Sequence, residues 1–332
     1  MLNFVYINNI NKSANILMIT ILLSFSIFLL FTSISGLFFF FLLELNTFIM
    51  LYILYVQFHN SFFYNNISII CYFVISVISS IWLLLSLIFS NEIYFLFSMF
   101  VKLSLFPFLW WYPYISENIN NFSFFVITII QKFFPLIIIS INNGILYDLI
   151  FINLIIISIF ISIFNLFYNM NNIKVFLAWS STINACWIIL IFINSFLIGF
   201  SYWFCYGIIF SLLIISLNNN MIYWDQLGNV GGFRIFFSFI CLCSFSGFPP
   251  FLGFYYKYLI FGSLEELNFN LSPSLIVSFS FSLFIFLNSI AYIYLLFKLN
   301  NLIKLNSFYN NSYFFFFFMV NYLILSLGLI CI

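Results

Sequence analysis

Fifteen of the 332 residues carry a formal charge, eight as Lys or Arg and seven as Asp or Glu, and four of these interrupt apolar stretches. Glu44 follows the run Gly36–Leu43, Lys102 lies between Met99 and Pro107, Lys132 stands three residues before Pro135, and Lys257 follows Pro249-Pro250. A charge at the centre of a bilayer costs at least about 2.5–3.5 kcal/mol, so four are tolerable only if they pair or line a wet interior. One carboxylate among three amines suits the movement of protons. Desolvation favours the neutral form of a lysine and a neighbouring carboxylate favours the charged form. A carboxylate that moves therefore switches a lysine between holding and releasing a proton. A Glu44–Lys102 ion pair coupled to Lys132 and then Lys257 would form a chain of titratable groups, bridged by water and by the hydroxyls of Ser104, Thr128, Ser180, Ser181 and Thr182. The competing reading is that each lysine lays its stem in the apolar layer and snorkels its amine to an interface; it competes most closely at Lys257.

The other charges read as solvated or snorkelling groups. Lys12, Glu117, Lys174, Asp225, Arg234, Glu265, Glu266, Lys298 and Lys304 fall at span ends or in loops, Asp148 follows Asn142-Asn143-Gly144, and Glu92 lies between two spans. The single histidine, His59, stands beside Asn60 at the end of an apolar stretch and reads as interfacial rather than as a proton relay. One histidine excludes a bis-histidine haem within the chain. Cys71, Cys186, Cys205, Cys241, Cys243 and Cys331 show no C-x-x-C spacing and offer no iron–sulfur ligand set; in apolar runs cysteine behaves as a small hydrophobe. No redox centre, bound cofactor or metal is expected in this chain, and no nucleophile–base pair marks an active site.

The background to these charges is 66% hydrophobic, 25% aromatic and 5% charged, with a mean hydropathy of +1.23. A soluble domain averages about 25% charged residues. The shortfall excludes a soluble enzyme, a secreted disulfide scaffold and a disordered protein, and a net charge of +1 leaves no basic field for a nucleic acid. What remains is a polytopic membrane protein. A β-barrel would alternate polar and apolar residues over segments of about 10, whereas Phe38–Leu43 and Phe314–Phe318 are apolar all round. The fold class is all-α. Phe (55 copies), Ile, Asn and Tyr dominate while Ala, Gly and Val are scarce, the signature of an AT-rich genome such as that of an organelle. The Phe runs then read as mutational bias plus lipid exposure rather than an aromatic binding box. Met1–Lys12 has one positive charge, no Arg and no small-residue cleavage site, so no cleavable presequence is expected.

Apolar length and Asn, Gly, Pro and charge punctuation place eleven spans, over 13–32, 35–57, 67–89, 94–112, 122–141, 145–167, 174–194, 196–217, 234–262, 273–297 and 312–331, each about long enough to cross a membrane. The connectors are short and Asn-rich, so a single membrane domain over 1–332 is expected, with a core over about 35–262 and C-terminal helices over about 273–331. Two segments break the helical pattern: Gln131-Lys132-Phe133-Phe134-Pro135 and Ser246-Gly247-Phe248-Pro249-Pro250-Phe251-Leu252-Gly253. Proline removes a backbone donor and clashes one turn back, and irregular backbone at membrane depth survives only where protein or water satisfies it. Paired discontinuous helices point to a transport site; an ordinary proline kink is the alternative at either place.

The order of these motifs resembles the chain 2 family of mitochondrial NADH–ubiquinone oxidoreductase, a membrane-arm subunit of respiratory complex I. The resemblance rests on Leu43-Glu44-Leu45-Asn46, on Lys102-Leu103-Ser104-Leu105-Phe106-Pro107-Phe108 through Trp110 or Trp111 to Pro113, and on Gln131-Lys132 with Pro135. It continues in Ala178-Trp179-Ser180-Ser181 with Trp187, and in the Ser246–Gly253 motif leading through Phe254 to Lys257. It covers roughly residues 13 to 262. It implies two related five-helix bundles, each with a discontinuous helix, and antiporter-like proton translocation driven by quinone reduction elsewhere. It assigns Glu44 and Lys102 to a coupling ion pair, Lys132 to a central lysine and Lys257 to an output-side lysine, with Pro135, Ser181, Asn184, Pro249 and Pro250 in support. It further implies NADH, FMN, iron–sulfur clusters and ubiquinone in other subunits, neighbouring antiporter-like chains and lipids such as cardiolipin as partners, and the mitochondrial inner membrane as the site. Two positions depart from the family pattern: Leu109 and the pair Ile183-Asn184 stand where the family usually has histidine. Water held by Asn184 and Ser181 is the expected substitute.

Two other functions fit the same charges. A free-standing cation/proton antiporter of the same ancestry would use them equally. A structural membrane subunit, holding lipid or quinone, would need Lys102 and Lys132 for assembly only.

Overall fold

The computed structural model describes residues 22, 26, 36–58, 66–141, 149–217, 221, 223–229, 232–247, 251, 253–259, 280, 282–296 and 298. The spans expected over 13–32 (residues 22 and 26 apart) and 312–331, with Lys12, His59, Asp148, Pro249, Pro250, Glu265, Glu266, Lys304 and Cys331, lie outside the described residues. In chain order the helices are α1 (Gly36–Phe58), α2 (Asn66–Phe89), α3 (Glu92–Leu103), α4 (Trp111–Asn118), α5 (Asn121–Phe125), α6 (Lys132–Ile141), α7 (Leu149–Tyr168), α8 (Ile173–Asn194), α9 (Phe196–Ser216) and α10 (Gly232–Ser246). They are followed by α11 (residues 253–259) and α12 (Ser282–Leu296). A π-helical segment, Val126–Gln131, joins α5 to α6, and a 3₁₀ turn, Trp224–Asn229, precedes α10. No strand occurs among the described residues, and six helices there are long and apolar enough to cross a membrane. The architecture is the all-α, polytopic one expected from composition.

The chain divides into two compact units, Met1–Leu103 with Asn118–Ile138, and Ser104–Glu117 with Ile139–Ile332. In the first, α2 packs on both α1 and α3, and the π-helical segment packs on α1. Trp82 of α2 sits against Tyr94 and Phe97 of α3, with ring centroids 5.6 and 5.4 Å away. Along α1 the exposed residues Leu37, Phe41, Leu45, Phe48, Tyr52 and Tyr55 form one stripe, and Leu42, Leu43, Asn46, Met50, Ile53 and Leu54 are buried. Both faces are apolar, so packing rather than polarity decides which is which.

In the second unit α8 is the buried axis, flanked by α7 and α9, with α10 on α9. The small side chains of Ser158 and Cys186 meet at 3.0 Å and let α7 and α8 approach closely. Tyr292 of α12 packs edge-on against Phe176 of α8. Serine enters such apolar helices by donating to a carbonyl one turn back, as at Ser76, Ser86, Ser180 and Ser238, which leaves no hydroxyl proton unmatched in an apolar surround.

Three irregularities shape the functional region. The span expected over 94–112 is not continuous: α3 stops at Leu103, Ser104 adopts φ 57° in the left-handed region, and α4 begins only at Trp111. A non-glycine residue in that region disfavours further helix, and Pro107 follows with no N–H to give. At the second place, Pro135 lies inside α6 and the disruption takes the form of the π-helical register ending at Gln131, the residue whose carbonyl Pro135 cannot serve. At the third, α10 ends at Ser246, Gly247 takes φ 77° and α11 begins at Gly253. A positive φ suits glycine at a helix end. A Cβ on Gly253 would lie 1.9 Å from the Ser244 carbonyl oxygen, so the absence of a side chain there lets α11 approach α10. Gly253→Ala should therefore destabilise the protein by about 1–3 kcal/mol, seen as a lower thermal unfolding midpoint in detergent; an unchanged midpoint would mean that the contact yields freely.

Candidate functional site

In the first unit Glu44 projects from α1 and Lys102 from the last turn of α3, where the helix dipole favours a cation. Lys102 Nζ and Glu44 Oε1 are 3.8 Å apart, with side-chain exposures of 9% and 22%. Among the described residues neither atom has a hydrogen-bond partner. The pair is thus held by charge attraction in a low-dielectric surround rather than by a directed bond, and a small rotation of either side chain changes it. Thr47 donates to the Glu44 backbone carbonyl at 2.8 Å, one turn along α1 from the carboxylate. Lys132 is 3% exposed, at the junction where the π-helical segment passes into α6. Next to it, Gln131 accepts a hydrogen bond at Oε1 from the Tyr72 hydroxyl and donates from Nε2 to the Asn46 carbonyl at 3.1 Å.

In the second unit Lys257 projects from α11 and is 2% exposed. Its Nζ donates to the carbonyl oxygens of Phe245 and Ser246, at 3.0 and 2.8 Å, the groups left open where α10 ends. Near it a cavity of about 10 Å³ is lined by Asn184, Tyr202, Cys205, Tyr206 and Tyr256, room for one water. The Tyr202 hydroxyl donates to Asn184 Oδ1 at 3.1 Å, Tyr256 and Cys205 are in contact at 3.3 Å, and the rings of Tyr202 and Tyr256 stack with centroids 4.7 Å apart. The Tyr206 hydroxyl has no hydrogen-bond partner among the described residues. Ser181 is hydrogen-bonded to the Tyr112 hydroxyl at 3.0 Å and to the Ala178 carbonyl at 2.8 Å.

The structure therefore brings Glu44 and Lys102 together, buries Lys132 in the same unit, and surrounds Asn184 and Ser181 with tyrosine hydroxyls. Thr128, Ser180 and Thr182 bond carbonyls of their own helices, a role local to each helix. Leu109 is buried and apolar. Pro135 is placed within α6, and Pro249 and Pro250 lie outside the described residues. Sequence reasoning missed Tyr72, Tyr202, Tyr206 and Tyr256. Their partners come from helices far along the chain, and one tyrosine among 21 carries no local mark. Three of the peripheral charges, expected to be solvated or snorkelling, have polar partners: Lys298 meets Asp225 at 3.1 Å and Asn171 at 3.2 Å, and Asn172 donates to Glu117 at 2.9 Å.

No protein-family model matches the chain. A protein of Aedes aegypti named NADH-ubiquinone oxidoreductase chain 2 is 29% identical over 212 residues, 62% of this chain and 61% of that one. Its namesake from Anopheles gambiae is 29% identical over 182 residues, 54% and 52% of the two chains. This chain is similar to NADH-ubiquinone oxidoreductase chain 2. It spans somewhat over half the length of these relatives. A chain of the respiratory complex I of Thermus thermophilus, solved with bound aureothin, matches with a TM-score of 0.53 at 18% identity, over 82% of this chain and 75% of its own. The fold is shared with that chain.

Removing one member of the ion pair leaves the other charge buried alone. Glu44→Gln or Lys102→Met should each lower the unfolding free energy by about 3 kcal/mol, more than the double replacement, which leaves no lone charge. Denaturant unfolding of the four proteins in detergent measures the coupling, and strictly additive losses would show that the two groups do not interact.

Proposed function

We propose that this chain is a proton-translocating membrane-arm subunit of a respiratory NADH–ubiquinone oxidoreductase in the mitochondrial inner membrane. Protons pass through Glu44, Lys102, Lys132 and Lys257, driven by quinone reduction in other subunits, which hold the redox cofactors. The observation that carries this reading is the Glu44 Oε1–Lys102 Nζ contact at 3.8 Å, its two atoms buried and without a hydrogen-bond partner among the described residues. Breaking such a pair strands an ammonium in an apolar interior, and giving up its proton relieves that cost. Restoring the carboxylate draws a proton back. A pair that opens and closes is therefore a proton switch, and the buried Lys132 is the acceptor or donor available in the same unit. Similarity to chain 2 proteins and to a complex I chain supports the assignment to that assembly.

The geometry favours a different part for Lys257. Two short bonds to the end of α10 make it a cap on the broken helix, and it changes its proton only as that cap opens.

In vesicles carrying the assembled complex, Lys132→Met should slow proton transfer through this chain by about a hundredfold, read as fewer protons moved per NADH oxidised while oxidation continues. Asn184→Leu should act in the same direction. An unchanged proton-to-NADH ratio in an assembled Lys132→Met complex would favour the structural-subunit reading. Migration of the chain away from NADH dehydrogenase activity on a native gel would favour a free antiporter.

A further inference from the structure

Gln131 does not titrate, yet it ties the turn carrying Lys132 to the helix carrying Glu44 by a hydrogen bond. Its carboxamide bonds in two directions at once, accepting from Tyr72 of α2 and donating to the Asn46 carbonyl of α1. These partners lie 59 and 85 residues away in sequence. The orientation of the amide is forced: a tyrosine hydroxyl can donate to Oε1, and a backbone carbonyl can only accept from Nε2. Asn46 is two residues beyond Glu44 on the same helix, and Lys132 directly follows Gln131. The π-helical register of Val126–Gln131 departs from the α-helical one, and Gln131 is its last residue. Polar side chains that bridge helices in an apolar surround fix their relative register.

From this we infer that Gln131 is a positioning residue, which holds the Lys132 turn in register with the Glu44 helix so that a change at the Glu44–Lys102 pair is felt at Lys132. The inference rests on the proton-transfer reading of these charges. Gln131→Leu keeps much of the volume and loses both bonds. In the assembled complex it slows proton transfer through this chain by about two- to thirtyfold, read as fewer protons moved per NADH, with assembly judged separately on a native gel.

Gln131→Glu gives a readout that a purely structural role would not move. Deprotonated, it accepts from Tyr72 but cannot donate to the Asn46 carbonyl. Protonated, its hydroxyl restores that bond. The ionisable groups facing this position are Tyr72, hydrogen-bonded to it, Glu44, which is close enough to Tyr72 to act on it electrostatically, and Lys102 beyond Glu44; Lys132 adjoins it in sequence. The proton-to-NADH ratio of Gln131→Glu should recover toward the wild-type value as the pH is lowered and fall as it is raised, relative to wild type at each pH. Wild-type ratios in both variants at every pH overturn the inference. Should Gln131→Leu fail to assemble, the pH profile of Gln131→Glu decides alone. Lys132→Met is measured alongside. If it also pumps normally, the proton-transfer reading fails; if it alone loses pumping, only the positioning role of Gln131 fails.

Discussion

Lipid offers no partner to a backbone amide or carbonyl, so every departure from the α-helix at membrane depth has to be answered by protein or by water. The end of α10 shows how closely that constraint binds the rest. The carbonyls of Phe245 and Ser246 lose their helical partners, and the amine of Lys257 takes both. For the amine to arrive, α11 must come close to α10, and Gly253 must present no Cβ to the Ser244 carbonyl. A Cβ on Gly247 would likewise meet the Lys257 side chain at 2.8 Å. Two glycines and one lysine thus form a single solution to one broken helix, and none can be exchanged independently of the others.

The same constraint separates the charged groups by how freely they can move. Lys257 is tied by two hydrogen bonds, and displacing it reopens two buried carbonyls. Lys102 has, among the described residues, the attraction of Glu44 across 3.8 Å and no hydrogen bond at Nζ. In a low-dielectric interior that attraction is substantial but undirected, so its energy changes smoothly with side-chain rotation. A group meant to respond to small movements is better held this way than by a directed bond. Gln131 offers the complementary device: two directed bonds that transmit position and no charge of its own.

Much of the fold was legible from composition alone, because a chain with so few charges leaves few ways to build anything but apolar helices. The expected spans 35–57, 67–89, 122–141, 174–194 and 196–217 agree with observed helices to within a residue or two at most boundaries. The span over 94–112 was misread as continuous. Pro107 was visible, but the left-handed turn at Ser104 is a backbone choice made by buried packing, and nothing about a lone serine announces it. The π-helical register before Lys132 was hidden for a similar reason: Pro135 signals a lost hydrogen bond without saying how the helix absorbs it. The four charged site residues stood out because charge is rare here. The tyrosines did not, because an aromatic residue in an AT-rich membrane chain is the commonest thing to find.

That asymmetry bears on the two positions at which the resemblance leads one to expect histidine. Where a relay group would titrate near neutral pH, this chain has a buried Leu109 and, at the second position, Asn184 bonded to Tyr202 beside the Tyr206 and Tyr256 side chains. A carboxamide cannot carry a proton across itself without changing tautomer, but a tyrosine hydroxyl both donates and accepts. A cavity sized for one water lies among Asn184, Tyr202, Tyr206 and Tyr256, where a water would meet hydroxyls able to give and to take a hydrogen bond. The alignment of these neutral groups around that space is set by the packing of α9 against α8 and α10.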